Sequence, residues 1–234
     1  YPDSLKAKGQ VPDRLAWKMP YTFASGNVKA VKVQDQMIYE IIKTNNWQRP
    51  VYFSATVTED NYIGLDEYVI QEGMGKRVVP YKNDVPTQFR VNADKMWSNF
   101  MVTPAGYSKT PQDGYFFGNF SKPNVFFNQV ETNIVQNYRS QYLTFAYEFS
   151  SRNDKAKTNE VLNRMDSNFP RKVVPYDYRI LYDVCMLYYK ADNIAKFNEL
   201  SPAVEKEAID AMKKNPNDMQ TYWNPYKLLL DIYE

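Results

Sequence analysis

The sequence predicts an α+β chain, with a small N-terminal α/β segment followed by an all-α region. Three observations carry that reading. Short β-branched and aromatic runs flank a single helical pattern in the first third of the chain. From about Pro123 onward apolar residues recur at helical spacing almost to the last residue. Between the two lies Thr103–Phe120, which holds two prolines, three glycines and several polar residues and reads as a long loop of functional or mobile character. The division is therefore drawn at 122/123, with 1–122 as the α/β segment and its loop and 123–234 as the helical region.

Taken in order, residues 1–15 carry two prolines, a glycine and many charges and read as an extended lead-in. Trp17–Phe23 has strand-like aromatics, demoted by Pro20 to an edge or irregular strand. Ser25-Gly26-Asn27 is a turn signal, and Val28, Ala30, Val31 and Val33 suggest a short strand. Asp35 is a candidate cap for a helix whose apolar positions are Met37, Ile38, Ile41 and Ile42, stopping near Thr44-Asn45-Asn46. Arg49–Val57 reads as a buried central strand entered through Pro50, Arg77–Pro80 as a second, and the whole as a β-α-β layer. Val91–Met101 reads as a helix with Met96, Trp97 and Phe100 on one side. Asn119-Phe120-Ser121 matches the N-glycosylation sequon, a pattern short enough to arise by chance.

The second half breaks into helices at Phe127–Arg152, Lys155–Asn168 and Tyr178–Lys190. A partner helix then reads as broken or kinked at Ser201-Pro202 before resuming to Lys214, and a last helix begins near Asp218. Counted back from Pro170, Tyr142, Phe145, Ala146, Phe149 and Leu162 fill the aromatic and small slots of a tetratricopeptide unit, normally about 34 residues. Thr158 stands where a small Ala is usual. The Pro170-to-Pro216 spacing is 46, so the second unit holds an insertion. Each such hairpin cannot bury its apolar stripe alone and must stack on a neighbour. Cys185 reads as a small buried hydrophobe.

Composition excludes whole classes of chemistry. The 29 Lys+Arg against 27 Asp+Glu are interspersed, whereas nucleic-acid binders gather a basic excess on one face; no nucleic-acid partner is expected. With no His, Ser-His-Asp and Cys-His arrangements and His-based metal sites cannot be built. One Cys rules out an internal disulfide and a Cys-rich zinc site. No catalytic residue, cofactor or metal ligand is assigned. No apolar run approaches the roughly 18–20 residues that span a bilayer, and no signal peptide is visible. The chain opens at Tyr1 rather than Met, so this reading expects a soluble fragment with something removed upstream.

At Trp47-Gln48-Arg49-Pro50-Val51-Tyr52-Phe53 the sequence resembles the C-terminal soluble region of a bacterial multi-spanning membrane protein family of unknown function, whose membrane part resembles protein O-mannosyltransferases. A second motif is similar at Gly64-Leu65-Asp66, Tyr68, Glu72-Gly73 and Arg77–Pro80, with further likeness at Asn137-Tyr138-Arg139 and Val174–Tyr178. The resemblance implies a domain on the periplasmic side of the inner membrane, tethered through an upstream region absent from this chain. Catalysis would lie on that absent part.

The motif residues are the candidate binding residues: Trp47, Arg49, Tyr52, Asp66, Tyr68, Glu72, Arg77, Tyr138 and Arg139. Arg49 is expected either to pair with Asp66 or Glu72 and fix the strand–loop geometry, or to clamp a phosphate or carboxylate together with Arg77. The resulting function is a non-catalytic accessory or scaffold domain of a membrane glycosyltransferase that docks an acceptor protein or partner subunit. The alternative is an independent carbohydrate- or peptide-binding module, motivated by 16% aromatic residues, with Trp47, Trp97 or the Tyr107–Phe117 loop as contacts. A third reading, a carboxylate enzyme built on Asp60, Asp66, Glu67 and Glu72, rests on their closeness in sequence alone.

Overall fold

Short strands joined by tight turns shape the first part of the protein. The structure, a computed structural model, describes residues 11–12, 14–83, 90–217 and 224–233. The lead-in at 1–10 and 13, and the helix start near Asp218, lie outside the described residues. Two compact units divide at Asn99/Phe100.

In the first unit, β1 (Phe23–Ser25) and β2 (Val28–Ala30) pair antiparallel across Gly26-Asn27. Helix α1 (Val33–Asn45) follows. Then β3 (Tyr52–Ser54), β4 (Val69–Gln71) and β5 (Gly75–Val78) form a three-stranded antiparallel sheet in the order β3-β5-β4. The architecture is α+β, but the expected β-α-β layer is not formed. The helix joins two separate antiparallel sheets, and the parallel contact among the described residues is an isolated bridge, Gln71 to Val91. The strands are three or four residues long, and hairpin turns bring β4 and β5 together where a parallel pair would need a crossover of a dozen residues or more. Asp35 is not the cap of α1. The helix begins two residues earlier, and Asp35 lies buried in its first turn, where a carboxylate suits the positive end of the helix dipole.

The sheet alternates as its period demands. Phe53, Val69 and Val78 point into a core with Tyr62, Ile63, Leu65 and Ile42, while Tyr52, Ile70 and Arg77 share the opposite face. On α1, Ile38, Tyr39 and Ile42 face this core, whereas Met37 and Ile41, expected inside, are exposed.

Residues 15–19 lie over the core as a strap. Leu15, Trp17 and Met19 pack on it, and the Trp17 indole donates to the Ile63 carbonyl at 3.0 Å. Beneath the strap, Ile63 (φ 52°) and Gly64 (φ 82°) are both left-handed. A β-branched residue there is a genuine outlier, held by complete burial. A Cβ on Gly64 would lie 2.5 Å from the Lys18 carbonyl oxygen. Gly64→Ala is therefore expected to cost about 2 kcal/mol or more, from the left-handed strain and displacement of the strap together. Denaturant unfolding followed by Trp fluorescence reads this, and a stability equal to the parent's would refute the strap.

Helix α2 (Ala93–Phe100) closes the first unit, and the second is helical, with α3 (Gln129–Ser151), α4 (Lys155–Asn168), α5 (Tyr178–Lys190), α6 (Ile194–Lys214) and α7 (Pro225–Tyr233). Helix α3 opens with a capping box in which Asn128 and Glu131 satisfy each other's backbone amides. Helices α3/α4 and α5/α6 are hairpins with matching turns. Asn153 and Asp192 are left-handed (φ 57° and 56°), and the next residues, Asp154 and Asn193, cap the following helix by accepting from Lys157 N and Lys196 N. Helix α3 also packs on α5, α4 on α5, and α7 on α6. Asn159 ties the hairpins together, donating to the Ala191 carbonyl and accepting from Asn193 at 2.9 Å each. Of the expected break or kink at Ser201-Pro202, the break does not occur: α6 runs through Pro202, with Leu200, Val204 and Ala208 buried on either side. Burial of Leu200 and Val204 contributes about 1.5–3 kcal/mol each, comparable to the roughly 3 kcal/mol an internal proline costs. Cys185 is fully buried, and burial pushes its thiol up to about 12.

The sequence places 101–122 with the α/β segment, whereas the compact units place it with the helices. Tyr115, Phe117 and Phe120 explain this by packing against Tyr138 and Phe169 with ring centroids 4.8–6.1 Å apart. Such contacts contribute about 0.5–1.5 kcal/mol each beyond burial, and they pin a segment that has no helix or strand of its own. Tyr107 and Phe116 remain exposed, as does Asn119 of the sequon.

Candidate functional site

A cleft of about 460 Å³ opens on the outer face of the three-stranded sheet, within the usual range for small-molecule sites. Its first wall follows from the way α1 ends. Asn46 (φ 43°) and Trp47 (φ 59°) are consecutive left-handed residues. Asn is common in that conformation, but Trp is not, and such strain concentrates at functional positions. Asn45 then holds the Arg49 carbonyl through its side-chain amide at 2.7 Å. The result is a tight corner that sets Trp47, Gln48, Arg49 and Pro50 along the cleft.

The floor comes from strand pairing. Arg77 stands opposite Tyr52 on one side and Ile70 on the other, so the three share a face. Glu72 sits in the β4–β5 turn, where Gly73 takes φ 86°. Its carboxylate is almost wholly buried and both oxygens are held: Tyr52 Oη donates to Oε2 and Asn92 Nδ2 to Oε1, each at 2.8 Å. Arg77 Nη1 lies 3.8 Å from Oε1, too far for a hydrogen bond. Arg77 Nε is buried and has no hydrogen-bond partner among the described residues. Leaving such a donor unpaired costs about 1–3 kcal/mol. Burial raises the Tyr81 phenol above its ordinary range, Arg77 opposes the rise and Glu72 adds to it, so Tyr81 remains a neutral donor.

Of the nine candidate residues, Trp47, Arg49, Glu72 and Arg77 line this cleft, and Tyr52 reaches it through Glu72. The expected pairing of Arg49 with Asp66 or Glu72 is absent. Arg77 takes the place beside Glu72, and the Arg49 side chain is exposed with no ion pair among the described residues. Asp66 lines a second hollow with Asp60, Asp35 and Lys32, and its carbonyl accepts from Arg90. Tyr68 is buried, with its hydroxyl on the Ala16 carbonyl at 3.2 Å. Glu67 pairs with Lys82 at 2.7 Å in solvent, so the four acidic residues near one another in sequence are spread over three settings. Among the described residues no group of three or more acidic, Cys or His side chains is placed to hold a metal ion.

Tyr138 and Arg139 belong to the helical unit and have structural surroundings there. The Tyr138 ring stacks on Phe169 at 5.5 Å. Arg139 is fully buried, donates to the carbonyls of Phe169 (2.7 Å), Val174 (2.6 Å) and Pro175 (3.0 Å), and covers the Tyr176 ring at 4.3 Å. Tyr81 and Asn92 are cleft residues the sequence reading missed. Tyr81 follows the Arg77–Pro80 motif by one position. Asn92 carried a readable signal only as a helix cap, a role its Oδ1 fills toward Lys95 N.

Residues 5–95, which hold the whole cleft, match the model of a family described as TMEM260-associated domain 2. The helical unit lies outside the match. No curated protein matches the chain, and no solved structure does. Among the described residues no helix is long and apolar enough to cross a membrane.

Proposed function

We infer that the chain is a non-catalytic accessory domain of a larger membrane protein of glycosyltransferase type, held on the periplasmic side of a bacterial inner membrane, where its helical hairpins dock an acceptor protein or partner subunit. The observation that carries this reading is the match of residues 5–95 to a domain described by its association with TMEM260. The helical unit supports the docking role. Its two hairpins repeat the same turn, Asn153-Asp154 and Asp192-Asn193, 39 residues apart, and the first helix of one packs on the first helix of the next. Stacked helical hairpins of this kind build extended surfaces for other proteins, which is what the docking reading requires.

Fractionation of source cells, blotted with an antibody to this chain, tests the reading. A band far heavier than the chain's own 27.5 kDa is expected in the membrane fraction, and deletion of the domain from that protein is expected to alter the glycoprotein profile. A soluble band near 27.5 kDa would overturn it.

A further inference from the structure

We propose that the cleft on the three-stranded sheet binds a monoanionic ring ligand, a carboxylated sugar of the hexuronic-acid type, with its carboxylate between Arg49 and Arg77. This goes beyond the docking reading, and it stands whether or not the hairpins hold a partner.

Charge sets the valence of the ligand. Two guanidinium groups and one carboxylate line the cleft, leaving one net positive charge. A singly charged group balances it, whereas a dianionic phosphate monoester would bring a second negative charge beside buried Glu72. Geometry sets the kind of group. Tyr52 and Asn92 occupy both Glu72 oxygens, and Arg77 stays 3.8 Å away with a buried Nε–H that has no partner among the described residues. Glu72 therefore orients Arg77 without consuming its fork. A planar guanidinium with free parallel donors is the group that recognises carboxylates two-pronged. Arg49, which has no ion pair among the described residues, supplies a second fork from the wall formed by the Trp47–Pro50 corner.

The rest of the lining fits a ring. Trp47 and Tyr81 offer aromatic surface, Gln48 an amide that can donate and accept, and Tyr81 a neutral hydroxyl. The volume, about 460 Å³, suits one or two rings rather than an extended peptide. The strained backbone at Trp47 is what points that side chain along the cleft.

The test titrates the full chain with glucuronate, glucose, glucose 6-phosphate and an acetylated peptide with a free C-terminal carboxylate. Trp fluorescence and the Arg Nε–H resonances are followed together. Glucuronate is expected to bind saturably and to move the Arg77 Nε–H signal, with glucose and the phosphate monoester at least about tenfold weaker, the worth of one charge-assisted hydrogen bond. Arg49→Gln, a change at an exposed side chain, is expected to weaken glucuronate about ten- to a hundredfold while leaving the unfolding midpoint unchanged. Arg77→Gln should weaken glucuronate likewise and abolish the resonance, with some loss of stability because buried Glu72 loses its neighbouring cation. Tighter binding of the peptide than of glucuronate would overturn the sugar assignment. Equal binding of glucose and glucuronate, or unchanged binding in Arg49→Gln, would overturn the anion assignment, as would a flat response to all four.

Discussion

Replacing Arg139 by Met is expected to lower the stability of the protein by about 3 kcal/mol or more. The guanidinium is fully buried and donates through both Nη groups to the chain that links the two hairpins, at the Phe169, Val174 and Pro175 carbonyls, while its Nε has no hydrogen-bond partner among the described residues. Burial lowers its ionisation to about 10, opposed by the nearby Tyr176 and Asp166, so the group stays charged at neutral pH. Met fills much of the volume but offers no donor. The Pro175 carbonyl keeps its bond from Gln136, whereas those of Phe169 and Val174 each lose a charge-assisted bond, and each buried acceptor left so costs about 1–3 kcal/mol. For a protein of this size the loss corresponds to a fall in Tm of roughly 6–12 °C. Arg139→Lys keeps the charge but has no planar fork to span carbonyls from two directions, so it is expected to recover less than half. Calorimetry and urea unfolding of both variants check this. Losses below about 1 kcal/mol in both would mean that the link between the hairpins is held by something other than Arg139.

That residue also shows where sequence reading reached its limit. Tyr138 and Arg139 attracted attention because they match a motif, and a motif does not say whether a residue is kept for a ligand or for the fold. Burial decides, and it belongs to the tertiary structure. The helices were legible because period, caps and turn residues agree locally: Asn128 with Glu131, Asn153-Asp154, Asp192-Asn193. That helix α6 continues through Pro202 was not legible, because the buried residues that carry it through are contributions of packing. Strand β4 escaped because three residues cannot display an alternation. The cleft was half legible. Trp47, Arg49, Glu72 and Arg77 stood in two motifs, but their meeting depends on the pairing of β3 with β5, a long-range choice. Which arginine faces Glu72 follows from that register, since a one-residue slip would turn Arg77 into the core.

Raising the pH above about 10 is expected to unfold the helical unit cooperatively. Burial raises the phenols of Tyr142, Tyr176 and Tyr188 well above their ordinary value near 10, and the Cys185 thiol from 9 to about 12. Each of these folded-state values lies above its unfolded one. The stabilisation is therefore fully present below pH 9–10 and is lost as the pH climbs toward the folded values, because only the unfolded chain can release those protons. Arg139 acts in the opposite sense, since its folded value of about 10 is lower than its ordinary 12.5, but it offsets at most one proton. A net of about three protons corresponds to roughly 4 kcal/mol of stability lost per pH unit at the steepest, enough to exhaust a typical domain's 5–15 kcal/mol within two or three units. Tyrosinate absorbance should accordingly rise in two phases. Phenols open to solvent ionise in the first phase and reversibly, and the buried set appears in one step that coincides with loss of helical circular dichroism. A single smooth titration of all the tyrosines, with the helices intact throughout, would mean that water reaches the aromatic core and that the packing of Tyr142 and Tyr176 is far looser than their burial implies.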